Sequence, residues 1–276
     1  MSAKGLLGDT PDRDYSRKLS LFNAHARPEL RAAMAGLQLK SGMRVVDVGC
    51  GTGEALTWLR EALGPDGTLV GLDLAAAHVR AARAHLPAQI LIAQADALRP
   101  PLPAASFDLV WCVNTLNHVR DPVRGIERLA GLLRSSGRLA LGQSSLLPEM
   151  FFAWDARLER IVNEAVRQYY RNRYGASERE FGAVRALVGV LRQARLKNVR
   201  SRTLMIERVS PLSADDESYL TEAIFKNTWG ERLRPYMSAQ DYDELSKLCD
   251  PQDPAFALRR PDFHYLQSFT LVVGEL

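Results

Sequence analysis

One stretch constrains this chain more than any other: Val45-Val-Asp-Val-Gly-Cys-Gly-Thr-Gly53, a run of β-branched residues that stops at three alternating glycines. β-Branched side chains suit a buried, pleated strand. Glu54–Leu63 after the glycines has helical spacing and ends at Gly64-Pro65. A strand that turns through glycine into a helix opens a parallel sheet, because parallel strands need a long crossover to return. The unit then repeats. Thr68–Leu72, Gln89–Ala93, Phe107–Val113 and Arg138–Gly142 read as strands, and Ala75–His85 as an Ala-rich helix stopped by Pro87. Asp121-Pro122 is an N-cap with Pro at the first helical position. The helix it opens places Val123, Ile126, Leu129, Leu132 and Leu133 at helical spacing before Gly137. The expected class is α/β, with a sheet covered on both faces.

The second half is mostly helical. Glu149–Tyr174 carries Phe151, Trp154, Leu158, Ile161 and Val162 on one stripe, and Phe181–Leu196 repeats the pattern. Val199–Val209 reads as extended. Ser213–Trp229 and Ser238–Cys249 read as helices, each opening with Ser-x-x-Asp, a relative of the capping box. His264–Val273 reads as the last strand. Two helical segments, 144–177 and 211–261, therefore interrupt the alternation. Both follow strands, and ligands of open parallel sheets bind beyond the carboxyl ends of strands, so both are expected to cap a site. The organisation expected is one domain over 1–276: a helical lid at 1–40, a ligand-binding sheet core at 41–143, and the two insertions, 144–177 and 211–261, as a cap over the site.

Hydrophobic residues are 46% and charged residues 25%, the balance of a soluble globule. No apolar run approaches the roughly 18 residues of a membrane span, and polar Met1–Asp14 lacks the apolar centre of a signal peptide. Cys50, Cys112 and Cys249 fit neither a metal spacing nor a disulfide scaffold, so no metal and a reducing cytoplasm are expected. The net charge of +4 is uneven: Arg157–Arg202 holds twelve Lys/Arg against four Asp/Glu, and the remainder is net acidic.

The glycine spacing narrows the ligand. A dinucleotide fingerprint needs a glycine at 54, where Glu stands, and no Gly-Lys-Ser/Thr comes after it for a P-loop. A carboxylate at that helix start is a poor neighbour for a pyrophosphate, so the cofactor is expected to lack phosphates.

Together with the strands and acidic residues downstream of it, the stretch resembles motif I of the class I S-adenosylmethionine-dependent methyltransferases. The resemblance runs from about Gly42 to Gln143 and is strongest to the branch of ubiquinone-biosynthesis-like and natural-product enzymes. It implies a Rossmann-like, doubly wound, seven-stranded and mainly parallel sheet whose last strand is antiparallel, with helical lid insertions. It implies S-adenosyl-L-methionine as cofactor and S-adenosyl-L-homocysteine as product. By resemblance, Gly49, Gly51 and Gly53 form the cofactor loop, and Asp47 helps hold the methionine ammonium. Asp73 accepts from both ribose hydroxyls and Leu74 meets the adenine face. Asp96 receives the adenine amino group, and the Ala97 N–H reaches the ring. Asn114, at the end of the fourth strand, lies near the methionine part.

Each residue also has a plainer reading. Asp73 occurs at this place in NAD enzymes too, Asp96 serves equally as a turn aspartate, and Asn114 as a strand cap. Cys50 reads as a small filler. His118, just past the fourth strand, is the residue for acid–base work. A hydroxyl or amine acceptor must lose a proton, which histidine suits; the alternative is a histidine that packs its loop. Phe151, Phe152 and Trp154 serve either as lid core or as acceptor-pocket lining. Tyr15 either closes over the cofactor or merely starts a helix. The expected activity is methyl transfer to a small organic acceptor, by O-methylation first and N- or C-methylation otherwise. The alternatives are an RNA or protein methyltransferase that uses the basic stretch, and a cofactor-binding protein without turnover. The expected partner is a small molecule, not nucleic acid or membrane, and a homodimer stays open.

Overall fold

The computed structural model describes Asp12 and residues 14–119, 121–146, 150–177 and 181–276. Strand β1 (Arg44–Val48) pairs in parallel with β2 (Thr68–Asp73) on one side and β4 (Phe107–Val113) on the other. Its side chains divide with the period of two expected of a strand buried on both faces. Val45 joins one core with Leu109 and Trp111, while Val46 and Val48 join a second with Val110 and Cys112.

The first core is covered by α1 (Ser16–His25), α2 (Arg27–Ala35), α3 (Glu54–Leu63), α4 (Ala76–His85) and, beyond the core strands, α6 (Ala156–Tyr174). The second is covered by α5 (Pro122–Ala130) and α7 (Ala183–Gln193) through Ile126, Leu129, Leu187 and Leu191. Asp121 caps α5 by accepting from the Arg124 N–H at 3.0 Å.

The remaining strands are β3 (Leu91–Gln94), β5 (Leu133–Ser144), β6 (Phe151–Phe152), β7 (Lys197–Val209) and β8 (His264–Glu275). The long strands lie in the order β3-β2-β1-β4-β5-β8-β7, with the last strand antiparallel to both neighbours. The Rossmann-like, mainly parallel expectation holds. The eighth strand, β6, is an addition. Phe151 and Phe152 pair with Leu266 and Tyr265 of β8, beyond the end of β5. The helix read over 149–174 therefore starts only at Ala156, where Asp155 accepts from the Leu158 N–H at 2.8 Å. Main-chain pairing with β8, and a stack of Trp154 on Phe152 at 4.7 Å, outweigh the helical spacing of Phe151 and Trp154.

The segment read as a helix over 213–229 also changes partway. Ser213 caps α8 (Ala214–Ser218), and the helix then widens into a π-helix over Tyr219–Trp229, succeeded by a 3₁₀ segment over Gly230–Tyr236. Ser238 caps α9 (Ala239–Cys249) in the expected way. Both insertions and the N-terminal helices meet: α1 packs on α8 and the π-helix, and α6 packs on α9 and the 3₁₀ segment. No helix among the described residues is long and apolar enough to cross a membrane.

Candidate active site

A cavity of about 1120 Å³ opens at the carboxyl ends of β1 to β4. Its floor is the turn after β1. Gly49 has φ +79°, and a Cβ there would lie 2.0 Å from Thr115 Oγ1, so residue 49 must be glycine for the loop to pass the end of β4. The amides of this loop face inward. Gly49 and Cys50 donate to the Leu72 carbonyl at 2.7 and 2.9 Å, and Gly51 donates to Asp73 Oδ2 at 2.8 Å. These amides are not turned toward a ligand's phosphate, in agreement with a cofactor that lacks one. Gly49 and Gly51 line the cavity. Gly53 does not. It precedes α3, and a Cβ would strike Ala82 of α4 and Leu86 just beyond it, so the lack of a side chain serves the packing of α3 on α4.

Three carboxylates surround this floor. Asp47 is 2% exposed, lines the cavity, and its Oδ2 has no hydrogen-bond partner. Burial first, and then the charges of Asp73 and Glu54, push its carboxyl well above the ordinary range. A cation placed here would relieve both the orphaned oxygen and the like-charge repulsion. Asp73 ends β2 and is also buried. Its Oδ1 accepts from the Ala75 N–H at 2.9 Å and faces His78 Nδ1 at 3.1 Å. Leu74 beside it is 36% exposed on the cavity wall, an apolar surface suited to a flat ring. Asp96 and Ala97 come after β3 on the same wall, and Asp96 Oδ1 accepts from the Leu98 N–H at 2.9 Å in a tight turn.

At the end of β4 the chain turns sharply at Asn114, which has φ +52°, a conformation Asn tolerates better than most residues. Its Oδ1 accepts from the Ser144 N–H at 2.8 Å and from Gln143 Nε2 at 3.2 Å. The side chain thus ties β4 to β5, as a strand cap would, while the residue stays on the cavity wall. A short 3₁₀ turn over Leu116–His118 then places His118, half-buried, on the same wall. Burial pushes the Cys50 thiol well up, as befits a filler.

The contacts that hold α1 across the cavity leave no signal in the sequence. Glu54 does more than exclude a pyrophosphate. Its carboxylate accepts from Thr52 Oγ1 at 2.6 Å, Ser20 Oγ at 2.9 Å and Asn23 Nδ2 at 3.0 Å, clasping α1 to the glycine loop. A second clasp joins α1 and α2 to the far insertion. Arg208 binds Asp216 and Glu29, and His25 Nδ1 lies 2.7 Å from Asp216 Oδ1. Tyr15, Leu19 and Phe22 thereby form a roof over the cavity. Spacing along the chain could not signal pairs separated by 31 to 191 residues. Phe151, Phe152 and Trp154 are absent from the lining. Phe151 is exposed, and Phe152 is buried among Trp154, Trp229 and Tyr265.

Residues 46–141 match a family model described as "Methyltransferase domain". The chain is 30% identical over 235 residues to Nocamycin O-methyltransferase of Saccharothrix syringae, and the match covers 81% of each chain. The chain belongs to the class I S-adenosylmethionine-dependent methyltransferases. S-adenosylmethionine is the cofactor of this enzyme, and its relatives place it in the small-molecule branch. It is also 37% identical over 149 residues to 27-O-demethylrifamycin SV methyltransferase of Amycolatopsis mediterranei, a match that covers 52% of this chain and 54% of that one. This methyltransferase thus spans about half the length of that relative. A solved Bacillus halodurans structure described as a candidate methyltransferase shares the fold, with a TM-score of 0.55 and 18% identity over 90% of this chain and 98% of that one.

The residues present fit the cofactor. The orphaned Asp47 oxygen suits its ammonium, Gly49 and Gly51 lie on the cavity floor beside it, and Leu74 offers a wall for its adenine.

Proposed function

We propose that this enzyme methylates a hydroxyl of a small organic acceptor. The observation that carries the reading is that one cavity runs from Asp47, Asp73 and Asp96 to His118, under an apolar roof of Leu19 and Phe22. The O-methyltransferase of Saccharothrix syringae, similar along most of its length, supports the choice of oxygen.

Asp47, Gly49 and Gly51 would hold the methionine end of the cofactor, Asp73 its ribose, and Leu74, Asp96 and Ala97 its adenine. Asn114 would shape the wall near the reacting centre. When bound, S-adenosylmethionine supplies a methyl group already activated by its sulfonium charge, so alignment carries much of the rate. His118 would take the acceptor's hydroxyl proton. The helices of 1–40 and the insertions 144–177 and 211–261 would form the cap that encloses the acceptor and excludes water.

Engagement of three arginines of the basic stretch within the protein favours a small acceptor over RNA. Arg157 pairs with Asp241 and Glu244, Arg171 pairs with Glu164, and Arg167 lies over the Phe181 ring. These arginines bind the cap's own elements and cover apolar surface.

The test is methyl transfer to a panel of small hydroxylated, amine and carbon acceptors, with His118→Ala alongside. The variant is expected to bind S-adenosylhomocysteine as the wild type does and to turn over roughly 10²–10⁴-fold more slowly. Full activity in the variant would leave alignment as the mechanism, and turnover of amines alone would overturn the choice of oxygen.

A further inference from the structure

We infer that His78 is a positioning residue for the cofactor: it sets the Asp73 carboxylate and joins it to the start of the N-terminal roof. The inference rests on the reading of Asp73 as the ribose-binding acid.

His78 lies on α4, is 1% exposed, and is not part of the cavity wall. It can therefore act on a ligand only through a neighbour. Its two ring nitrogens face different elements. Nδ1 is 3.1 Å from Asp73 Oδ1, and Nε2 accepts from the Tyr15 backbone N–H at 3.4 Å. The Tyr15 ring also meets the imidazole edge-on, with centroids 4.4 Å apart.

These partners choose the tautomer. A backbone N–H can only donate, so Nε2 must carry its lone pair. The single proton of the neutral ring then sits on Nδ1 and points to Asp73. That proton completes an accounting of the carboxylate. Oδ1 is engaged by the Ala75 N–H and by His78, while Oδ2 is engaged by the Gly51 N–H. An ionised carboxylate offers about four acceptor sites. Three donors from three segments hold Asp73 in one orientation, and the one remaining site, on Oδ2, can accept from a single ribose hydroxyl instead of the two the resemblance implied. Orientation fixed before binding is ordering the ligand need not impose.

The same ring reaches the roof. Tyr15 directly precedes α1, whose Leu19 and Phe22 wall the cavity. One imidazole thus links the acid beneath the cofactor to the segment above it. An aliphatic residue at 78 could fill the volume but would serve neither partner.

Calorimetric titration of S-adenosylhomocysteine and its 2′,3′-dideoxy analogue tests this in the wild type, His78→Leu, His78→Asn and Asp73→Ala. His78→Leu is expected to weaken S-adenosylhomocysteine roughly 10-fold, yet to change the dideoxy analogue less than about threefold, because its effect passes through Asp73. In His78→Asn the amide N–H can replace Nδ1–H, so most of the affinity should return. An equal loss for both ligands in His78→Leu would reduce His78 to a packing role and overturn the inference. The ribose reading fails separately if Asp73→Ala discriminates between the two ligands as well as the wild type does. A measurement that needs no variant is the ¹⁵N spectrum of the unliganded enzyme. A proton on Nδ1 of His78 is expected, and a proton on Nε2 alone would overturn the inference.

Discussion

Asp47→Asn should make the unliganded enzyme more stable and its cofactor complex weaker. In the free protein Asp47 is 2% exposed, one oxygen has no partner, and Asp73 and Glu54 repel its charge. Its carboxyl therefore ionises only well above the ordinary range, whereas in the unfolded chain it titrates at about 3.9. Between those two values the folded protein holds a proton that the unfolded chain has lost. Stability then falls as pH rises, by about 1.4 kcal/mol per pH unit for one proton. Asparagine does not titrate, so the gap between variant and wild type should widen at that slope across the window. Urea midpoints of both proteins without ligand, from roughly pH 5 to pH 8, measure the gap. Saturating S-adenosylhomocysteine should reverse the order. The variant gives up a hydrogen bond to a charged group, worth about 1.5–3 kcal/mol, and so should bind roughly 10- to 150-fold more weakly. Parallel pH profiles would refute the placement of a raised carboxyl at 47. Unchanged affinity would put the cofactor's ammonium elsewhere.

Gly49→Ala forces a non-glycine residue to φ +79° and drives its Cβ into Thr115. A left-handed conformation costs about 1–2 kcal/mol and overpacking about 1–3 kcal/mol. Adding Thr115→Ala should recover only part of the overpacking cost, because the Thr115 Cβ itself lies 2.8 Å from the new Cβ, as read by denaturation midpoints. Arg208→Ala leaves Asp216 and Glu29 without their shared cation and should cost about 3–5 kcal/mol; a loss under about 1 kcal/mol would show that this clasp does not hold the roof. Burial pushes the Asp216 carboxyl up, but hydrogen bonds from His25, Ser213 and Arg208 outweigh it and hold the group well below the ordinary range. Its stabilisation should be full above about pH 4 and lost as pH falls further, so Asp216→Asn should flatten the acid limb of the stability profile.

Local chemistry that repeats or forbids could be read along the chain. The valines at 45, 46 and 48 needed burial on two faces whatever surrounded them, and the glycines at 49, 51 and 53 marked the turn beyond them. Glu54 argued against a pyrophosphate both by its charge and by standing where a dinucleotide loop needs glycine. The alternation of strand and helix then left few topologies, because parallel strands demand crossovers. Tertiary structure decided what depended on residues far apart. Phe151 and Trp154 had helical spacing, but pairing with β8 made their segment extended. Gly53 read as part of the cofactor loop, and only the fold brings Ala82 and Leu86 against it. Glu54, His78 and Arg208 each take a partner from a distant segment, 34, 63 and 183 residues away. The physical reason is one of range. Dihedral preference and periodicity act over a few residues and show in the sequence. The desolvation of Asp47, the orientation of Asp73 and the clasping of α1 come from groups that only the finished fold brings within hydrogen-bond distance.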